Sequence, residues 1–280
     1  MGEQAKLEIK EYCKILNLKA VADNFEAFMQ ETASFEDYLV RLLQAQIDEK
    51  ERKAIENRIK GANFPQRKYL EDLELDCLPT TMRNKLPELA SLDFIREGRN
   101  LILQGNPGTG KTHIATALGI KACEAGYKVL FTSVPYLVTE LKESVSEKKL
   151  KRTLDRFVKY DLVIADELGY VSFDQEGSDL LFNCLSKRVG HKSTIITSNL
   201  SFKDWEKVFH GPAITGAMAD RLTFRAIIVD MTGDSYRLRE MLRINGYDPE
   251  YVLTGKTATT DESHSTTSPD HLEESMEENT

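Results

Sequence analysis

Residues 105–112 constrain the fold of this chain more than any other segment. They read Gly-Asn-Pro-Gly-Thr-Gly-Lys-Thr, a GxxxxGKT pattern, and they follow an apolar run at 101–103. Apolar residues at helical spacing resume over 114–122. A glycine-rich turn between a strand and a helix lets successive backbone N–H groups converge on phosphate oxygens. The segment therefore predicts a nucleotide-binding loop.

Residue types within this loop suggest how a triphosphate would be held. In such loops the lysine, here Lys111, reaches the β- and γ-phosphates, and the hydroxyl of Thr112 binds Mg²⁺. The helix N-terminus adds a favourable field for the anion. His113 follows on the first helical turn and is included in the predicted site. The predicted ATP-binding residues are Gly105, Asn106, Pro107, Gly108, Thr109, Gly110, Lys111, Thr112 and His113.

An acidic pair follows a later apolar run, where residues 161–165 lead into Asp166 and Glu167. We expect this run to be a strand beside the strand of the phosphate loop, with its carboxyl end directed at the metal. Asp166 is then predicted to hold Mg²⁺ with Thr112, and Glu167 to polarise the attacking water as general base. The alternative is that both acids simply end a strand in solvent.

Three further residues are candidates for contact with the γ-phosphate. Asn199 ends another apolar run and lies where an amide would hold the hydrolytic water, although Ser-Asn after a strand is usually a turn. Arg221 and Arg237 are candidates for neutralising transition-state charge. An arginine on a helix is more often a solvated or salt-bridged surface group, and spacing alone leaves both readings open.

The order of apolar runs predicts an α/β fold. Five runs read as strands, and amphipathic helical stretches separate them. The first four runs are apolar throughout, as expected for parallel strands covered on both faces. A five-stranded parallel sheet is therefore predicted. The predicted strands are 100–104, 128–132, 161–165, 193–197 and 225–230.

Composition shifts divide the chain into four parts. Residues 1–60 are predicted to form a small all-α module, with Ser34 capping its third helix, and 61–99 a connector interrupted by prolines. Residues 100–253 form the predicted sheet-containing core. The tail, 254–280, is rich in Thr, Ser, Glu and Asp without apolar periodicity and is predicted to be disordered.

Composition excludes several classes of protein. With 41% hydrophobic and 29% charged residues in 280, the chain suits a globular fold, and no apolar stretch is long enough for a membrane span. The amino terminus lacks a signal-peptide pattern. Four scattered cysteines indicate neither a zinc site nor a disulfide framework. A cytoplasmic protein with no membrane partner is therefore expected.

Net charge does not decide whether the partner is a nucleic acid. The formal charge is −8, but seven of the 45 acidic residues lie in 261–280, which has no Lys or Arg. The rest of the chain carries 37 basic and 38 acidic side chains and is nearly neutral.

Two basic segments are candidates for DNA contact. Between 148 and 159, cations recur on one helical face while apolar residues occupy the other. A second cluster lies at 50–60, where interspersed glutamates favour intrahelical ion pairs. Neither has interleaved aromatic residues, so binding to the backbone of double-stranded DNA without sequence preference is expected. The alternative for both is a solvated charged face. The DNA-contact candidates of the first segment are Lys149, Arg152, Arg156 and Lys159.

These motifs, in this order, resemble the AAA+ ATPases, and more narrowly the IstB-like transposition helper proteins of bacterial insertion sequences. The GxxxxGKT and Asp-Glu elements are shared by a very broad superfamily, whereas other elements are much narrower. The resemblance covers about residues 5–242. The narrower elements are Ala62-Asn63-Phe64-Pro65, Glu167-Leu168-Gly169-Tyr170 and Ser235-Tyr236-Arg237-Leu238.

The resemblance implies an AAA+ P-loop core that hydrolyses ATP to ADP and phosphate with Mg²⁺. It implies Asn199 as the sensor-1 residue, Arg237 as a sensor-2 arginine of the same subunit, and Arg221 as an arginine finger donated to a neighbouring subunit. It also implies ATP-dependent oligomers that hold target DNA and deliver it to a cognate transposase. Two alternatives remain open: a replicative helicase loader with the same core, and a nucleotide-gated adaptor that does not hydrolyse ATP.

Overall fold

A computed structural model of the chain describes residues 2–32, 34–209 and 211–254. The described residues divide into two units, with the boundary between Arg237 and Leu238. The predicted disordered tail falls almost wholly on 255–280, outside the described residues. The division of the chain at 60 and 99 stays a prediction.

Three helices open the first unit, as the residue pattern predicts. The side chain of Ser34 accepts a hydrogen bond from the backbone N–H of Asp37 at 3.1 Å, and so caps the third helix. Phe25 and Leu42 are buried where the second and third helices pack. The helices are α1 (Glu3–Ile15), α2 (Lys19–Glu31) and α3 (Phe35–Gly61).

The connector combines turns with short helices. Two 3-10 segments, Leu70–Asp72 and Leu75–Cys77, precede α4 (Thr80–Ala90) and α5 (Asp93–Arg96). Pro87, one of the prolines of the connector, lies inside α4. Across the described ranges, no helix combines the length and apolar character needed to cross a membrane.

The five predicted strands are all present, each within three residues of its expected bounds, and all pair in parallel. Their order in the sheet is β2-β3-β4-β1-β5. The expectation that the strand carrying Asp166 lies beside the phosphate-loop strand is wrong, because β4 lies between them. The strands are β1 (Leu101–Gln104), β2 (Val129–Ser133), β3 (Leu162–Leu168), β4 (Ser193–Ser198) and β5 (Ile227–Asp230).

Helices cover both faces of the sheet, which explains the continuously apolar strands. Successive residues of β1 alternate between two buried clusters: Leu101 and Leu103 pack in one, Ile102 in the other. The first cluster includes residues of α4 and α6, and the second includes residues of α7 to α10. The helices are α6 (Lys111–Glu124), α7 (Val134–Ser146), α8 (Leu150–Val158), α9 (Gln175–Ser186) and α10 (Pro212–Thr223).

A buried guanidinium ties the end of α8 to β4. Arg188 is fully buried and donates hydrogen bonds to the carbonyls of Phe157, Tyr160 (3.0 Å) and Ser193 (2.8 Å). Burial lowers the pKa of Arg188 to about 10, which still leaves it charged at neutral pH. Its Nε also donates to the hydroxyl of Thr194 at 3.3 Å. The buried guanidinium thus holds the end of α8 and the start of β4 together through hydrogen bonds to neutral oxygens.

The second unit is small. Helix α11 (Tyr236–Ile244) begins at the end of the first unit and continues into the second. Gly246, with φ of +78°, reverses the chain after it, and the N–H of Tyr247 donates to the carbonyl of Leu242 at 2.9 Å. Helix α12 (Pro249–Thr254) follows.

Candidate functional site

The loop between β1 and α6 is shaped by glycines with positive φ. Gly110 (φ +89°) lies immediately before α6. Gly105 (φ +152°) lies so close to the backbone of Met231 and Thr232 that a Cβ atom there would overlap it. The predicted loop is therefore packed against the chain that follows β5. Asn106 and Pro107 are exposed at its tip.

Lys111 begins α6 and points back into this loop. Its side chain is buried, and its Nζ donates to the carbonyls of Gly105 (2.7 Å) and Asn106 (2.6 Å). Burial lowers the pKa of Lys111, while the nearby carboxylate of Asp166 opposes this shift and the cation of Arg237 adds to it. Among the described residues, the hydrogen-bond acceptors of this buried ammonium are two neutral carbonyls, which makes it a strong candidate for contact with an anion.

Asp166 lies at the same edge of the sheet and is held by two hydroxyls. It is 5% exposed. The Oγ1 of Thr112 donates to its carboxylate, with distances of 3.0 and 3.2 Å to the two oxygens, and the Oγ1 of Thr197 lies 2.5 Å from Oδ1. Residues of β3, α6 and β4 thus meet at one carboxylate, although β3 and β1 are not neighbours.

Sequence reasoning did not identify Thr197 as a site residue. Besides its bond to Asp166, its Oγ1 accepts the backbone N–H of Glu167 at 3.0 Å. The sequence feature that could have identified Thr197 is its position at the end of an apolar run, in the Thr-Ser-Asn triplet at 197–199. One hydroxyl therefore orients both members of the acidic pair.

Glu167 has an unusual backbone conformation. Its φ of +66° is uncommon for a residue other than glycine, and the pairing of β3 with β4 is irregular between Ala165 and Leu168. This irregularity turns Glu167 out of the buried strand, and its side chain is exposed at the cavity described below. Such strain is often found at functional sites.

Asn199 contributes a buried oxygen without a partner. Its Oδ1 makes no hydrogen bond within the described part of the chain. A Cβ atom on Gly169 (φ +113°) would come within 2.7 Å of this oxygen. Gly169 is therefore required for the close approach of the loop after β3 to the amide.

These groups surround a cavity of about 490 Å³. Residues 108–113, Glu167, Asn199 and Arg237 line one part of it. The connector supplies another part that sequence reasoning missed. These connector residues are Pro65, Gln66, Lys68, Asp72, Leu73, Glu74, Cys77 and Leu78.

Tyr236 joins the connector to the phosphate loop. Its backbone N–H donates to the carbonyl of Gly108 at 2.9 Å, and its hydroxyl donates to Glu74 at 3.0 Å. Tyr236 is thus a second site residue that the residue pattern alone did not single out. It precedes Arg237 directly and helps to place that arginine at the cavity.

His113 is half-buried at the cavity. Its Nε2 lies 3.4 Å from the carbonyl oxygen of Tyr69. Burial lowers the pKa of His113, so the ring is neutral at pH 7. A neutral, fixed imidazole lines the cavity without adding charge to it.

Arg221 is absent from the cavity of its own chain. It lies on α10 with an exposed side chain, and its guanidinium lies 4.7 Å from the centroid of the Phe182 ring. Of the predicted arginines, the structure thus brings Arg237 to the cavity and leaves Arg221 on the surface.

The four predicted DNA-contact cations remain exposed around α8, whose apolar side is buried at Leu154 and Phe157. Two of the four are in ion pairs, Lys149 with Glu147 and Arg156 with Glu140. The other two are Arg152 and Lys159.

The second basic cluster, at 50–60, lies on α3. Hydrogen bonds from Arg52 and Lys53 lower the pKa of Glu49 to about 2, so intrahelical ion pairs occupy part of this cluster.

Comparisons with known proteins agree with this architecture. The family described as IstB-like ATP binding protein matches residues 12–243. The chain is 36% identical over 239 residues to the "Insertion sequence IS5376 putative ATP-binding protein" of Geobacillus stearothermophilus, covering 84% of this chain and 95% of the relative.

Solved structures share the fold. The crystal structure of DnaI has a TM-score of 0.52 at 24% identity, covering 59% of this chain and 92% of DnaI. AMPPCP-bound DnaA from Aquifex aeolicus has a TM-score of 0.51 at 18% identity, covering 66% of this chain and 58% of DnaA. These likenesses, with the observed sheet, confirm the predicted AAA+ fold class.

Thr197→Val tests the shared hydroxyl. The substitution keeps the shape of the side chain but leaves Asp166 and the N–H of Glu167 each without one partner. We expect the free energy of unfolding to fall by about 2 kcal/mol, measured by urea denaturation. Thr197→Ser, which retains the hydroxyl, should stay within about 1 kcal/mol of wild type. Equal stability of the Val variant and wild type would contradict this arrangement.

Proposed function

Because this chain belongs to the IstB-like ATP binding protein family, we propose that it is a Mg²⁺-dependent ATPase that assembles on double-stranded DNA and assists the transposase of an insertion sequence. The observation that carries the ATPase proposal is the arrangement of Asp166 and Glu167 beside the 105–112 loop. Asp166 is buried and hydrogen-bonded to two hydroxyls, and Glu167 faces the cavity.

Lys111 and the loop amides would bind the triphosphate. The ammonium of Lys111 now bonds to two carbonyls of its own loop, and phosphate oxygens are stronger acceptors for a cation than these neutral groups. The N-terminus of α6 adds unpaired N–H groups and a favourable dipole. Binding would therefore replace weak acceptors by charged ones without a large rearrangement of the loop.

The site fits Mg²⁺. Thr112 and Asp166 supply a hydroxyl and a carboxylate, and Mg²⁺ at nucleotide sites is bound by one or two such oxygens together with phosphates and water. Within the described ranges, no cluster of three or more His, Cys, Asp or Glu forms a metal cage. When bound, Mg²⁺ would neutralise charge on the β- and γ-phosphates. Thr197 would keep the Asp166 carboxylate oriented toward it.

Glu167 would accept a proton from the attacking water. Its exposed carboxylate lies at the cavity, and its backbone is fixed through Thr197. The unpartnered Oδ1 of Asn199 would orient the same water by accepting a hydrogen bond from it. Both residues end strands at the same edge of the sheet, so they act on one side of the γ-phosphate.

Two arginines would balance the charge that develops on the phosphate. Arg237 lies at the cavity of its own chain and is close enough to lower the pKa of Lys111. Arg221 is exposed on α10 away from that cavity, so it would act on the nucleotide of a neighbouring subunit. Turnover would then require an oligomer.

DNA and transposase are the proposed partners because the relative described above is named as an insertion-sequence protein. The exposed cations around α8 are the proposed contacts with phosphates. Arg152 and Lys159 lie on the same helical face, opposite the buried residues of α8. Binding through such contacts is independent of sequence and weakens as salt increases.

Glu167→Gln tests the general base. The amide is isosteric with the carboxylate but cannot accept the proton, so we expect ATP turnover to fall by at least about 100-fold. Affinity for a fluorescent ATP analogue should change less than about threefold. Phosphate release and fluorescence titration measure the two quantities. Glu176→Gln, on the exposed start of α9, is the control. Near-normal turnover of the Glu167 variant would remove this residue from the proposed role.

Mixed assemblies test whether Arg221 acts in trans. Arg221→Ala and Lys111→Ala chains should each be inactive alone, since one lacks the finger and the other the phosphate-binding ammonium. Mixing them should restore turnover, because an interface between the two can combine an intact cavity with an intact Arg221. Phosphate release is measured across mixing ratios. No recovery at any ratio would argue against a finger supplied by a neighbour.

DNA-dependent assembly tests the partner. We expect ATP with Mg²⁺ to produce oligomers on duplex DNA of any sequence, detected by sedimentation, and duplex DNA to stimulate turnover. Arg152→Gln together with Lys159→Gln should weaken DNA binding by about tenfold and lower its dependence on salt. Lys14→Gln with Lys19→Gln, two exposed cations of α1 and α2, is the matched control. Capture of a replicative helicase without any effect of DNA would favour the helicase-loader alternative.

A further inference from the structure

Arg221 is held on the surface by an aromatic ring. Its guanidinium lies 4.7 Å from the centroid of Phe182, well within the range of an attractive cation–π contact. Phe182 lies on α9 and is half-buried, with one side packed against the core between the sheet and α9. The ring is therefore a fixed support for a side chain that is otherwise exposed.

The packing of α9 and α10 explains why the two side chains meet. Met218 and Leu222 of α10 and Leu181 and Leu185 of α9 are buried in the same cluster. Arg221 follows Met218 by three positions and precedes Leu222, so it lies at the margin of this buried face. Phe182 follows Leu181 and lies at the same margin of α9.

In two other cation–ring contacts of the described residues, the cation also pairs with a carboxylate. Arg156 lies 5.3 Å from the ring of Phe157 but also pairs with Glu140, and Lys10 lies over Phe25 but also pairs with Glu26.

No carboxylate pairs with Arg221 in the ranges that the structure describes, where its guanidinium contacts the ring of Phe182. A ring face attracts a guanidinium without occupying its N–H donors, whereas a carboxylate would occupy two of them. The donors of Arg221 are thus left available to an anion.

We infer that Phe182 is a positioning residue for Arg221. This inference rests on the proposed action of Arg221 on a neighbour's triphosphate. Arginine has many rotamers, and restricting them before the subunits meet lowers the entropy lost when the guanidinium contacts the phosphate. Phe182 restricts them while leaving the hydrogen-bonding edge of the guanidinium unoccupied.

The test compares Phe182→Leu, which removes the π face, with Phe182→Tyr, which keeps it. We expect kcat for ATP to fall by about two- to fivefold in the Leu variant. KM and affinity for a fluorescent ATP analogue should be unchanged, because the ring lies outside the cavity of its own chain. The Tyr variant should retain at least about half of the wild-type kcat. If the Leu variant does not fold, Phe182→Met provides the same comparison.

Subunit mixing separates positioning from general packing. With Arg221→Ala and Lys111→Ala chains mixed, the second chain supplies the finger. Adding Phe182→Leu to that finger-donating chain should lower the restored turnover by the same two- to fivefold. Adding it to the Arg221→Ala chain should have no effect.

Three results would overturn the inference. They are a wild-type kcat in the Leu variant, a loss of kcat in the Tyr variant equal to that in the Leu variant, or the same loss of restored turnover whichever chain of the mixture carries Phe182→Leu. Failure of the proposed function gives a different result, because wild type would then show no ATP turnover or Arg221→Ala alone would leave turnover intact. That outcome would remove the premise and the inference together.

Discussion

The candidate site depends on the parallel direction of the strands. Because β1, β3 and β4 run the same way, their carboxyl ends meet at one edge, where the 105–112 loop, the acidic pair and Asn199 all emerge. The bonds of Thr112 and Thr197 to Asp166 then lock α6, β3 and β4 around a single buried carboxylate. Without this convergence, the residues would be an ordinary glycine turn, a strand end and a surface amide.

Much of the fold was predictable because parallel strands have a clear signature. Continuous apolar runs between amphipathic helices identify covered strands, and all five were found near their expected bounds. Strand order was not predictable in the same way. The pattern that marks β4 as a strand does not say that it separates β3 from β1. The carboxylate of Asp166 still reaches Thr112 at the end of the loop directly, and Thr197 of the intervening strand also bonds to it.

The candidate site was predictable where the chemistry is local in sequence. Lys111 and Thr112 belong to one sequence motif, and Asp166 directly follows the apolar run 161–165. Thr197 and Tyr236 act through contacts with distant segments, so no spacing rule identifies them. The same holds for Phe182, whose contact with Arg221 exists only because α9 packs on α10. The hydrophobic periodicity of a sequence indicates helices and strands, but it does not indicate which distant segments pack together.

Titration of the purified protein with a fluorescent ATP analogue, with and without Mg²⁺, tests most directly whether the 105–112 loop binds a triphosphate. We expect saturable binding of one nucleotide per chain, displaced by ATP, and at least about tenfold weaker in Lys111→Met. Lys121→Met, on the same helix, should bind as wild type does. Absence of saturable binding, or equal affinity in the two lysine variants, would contradict the assignment of the 105–112 loop as the triphosphate site.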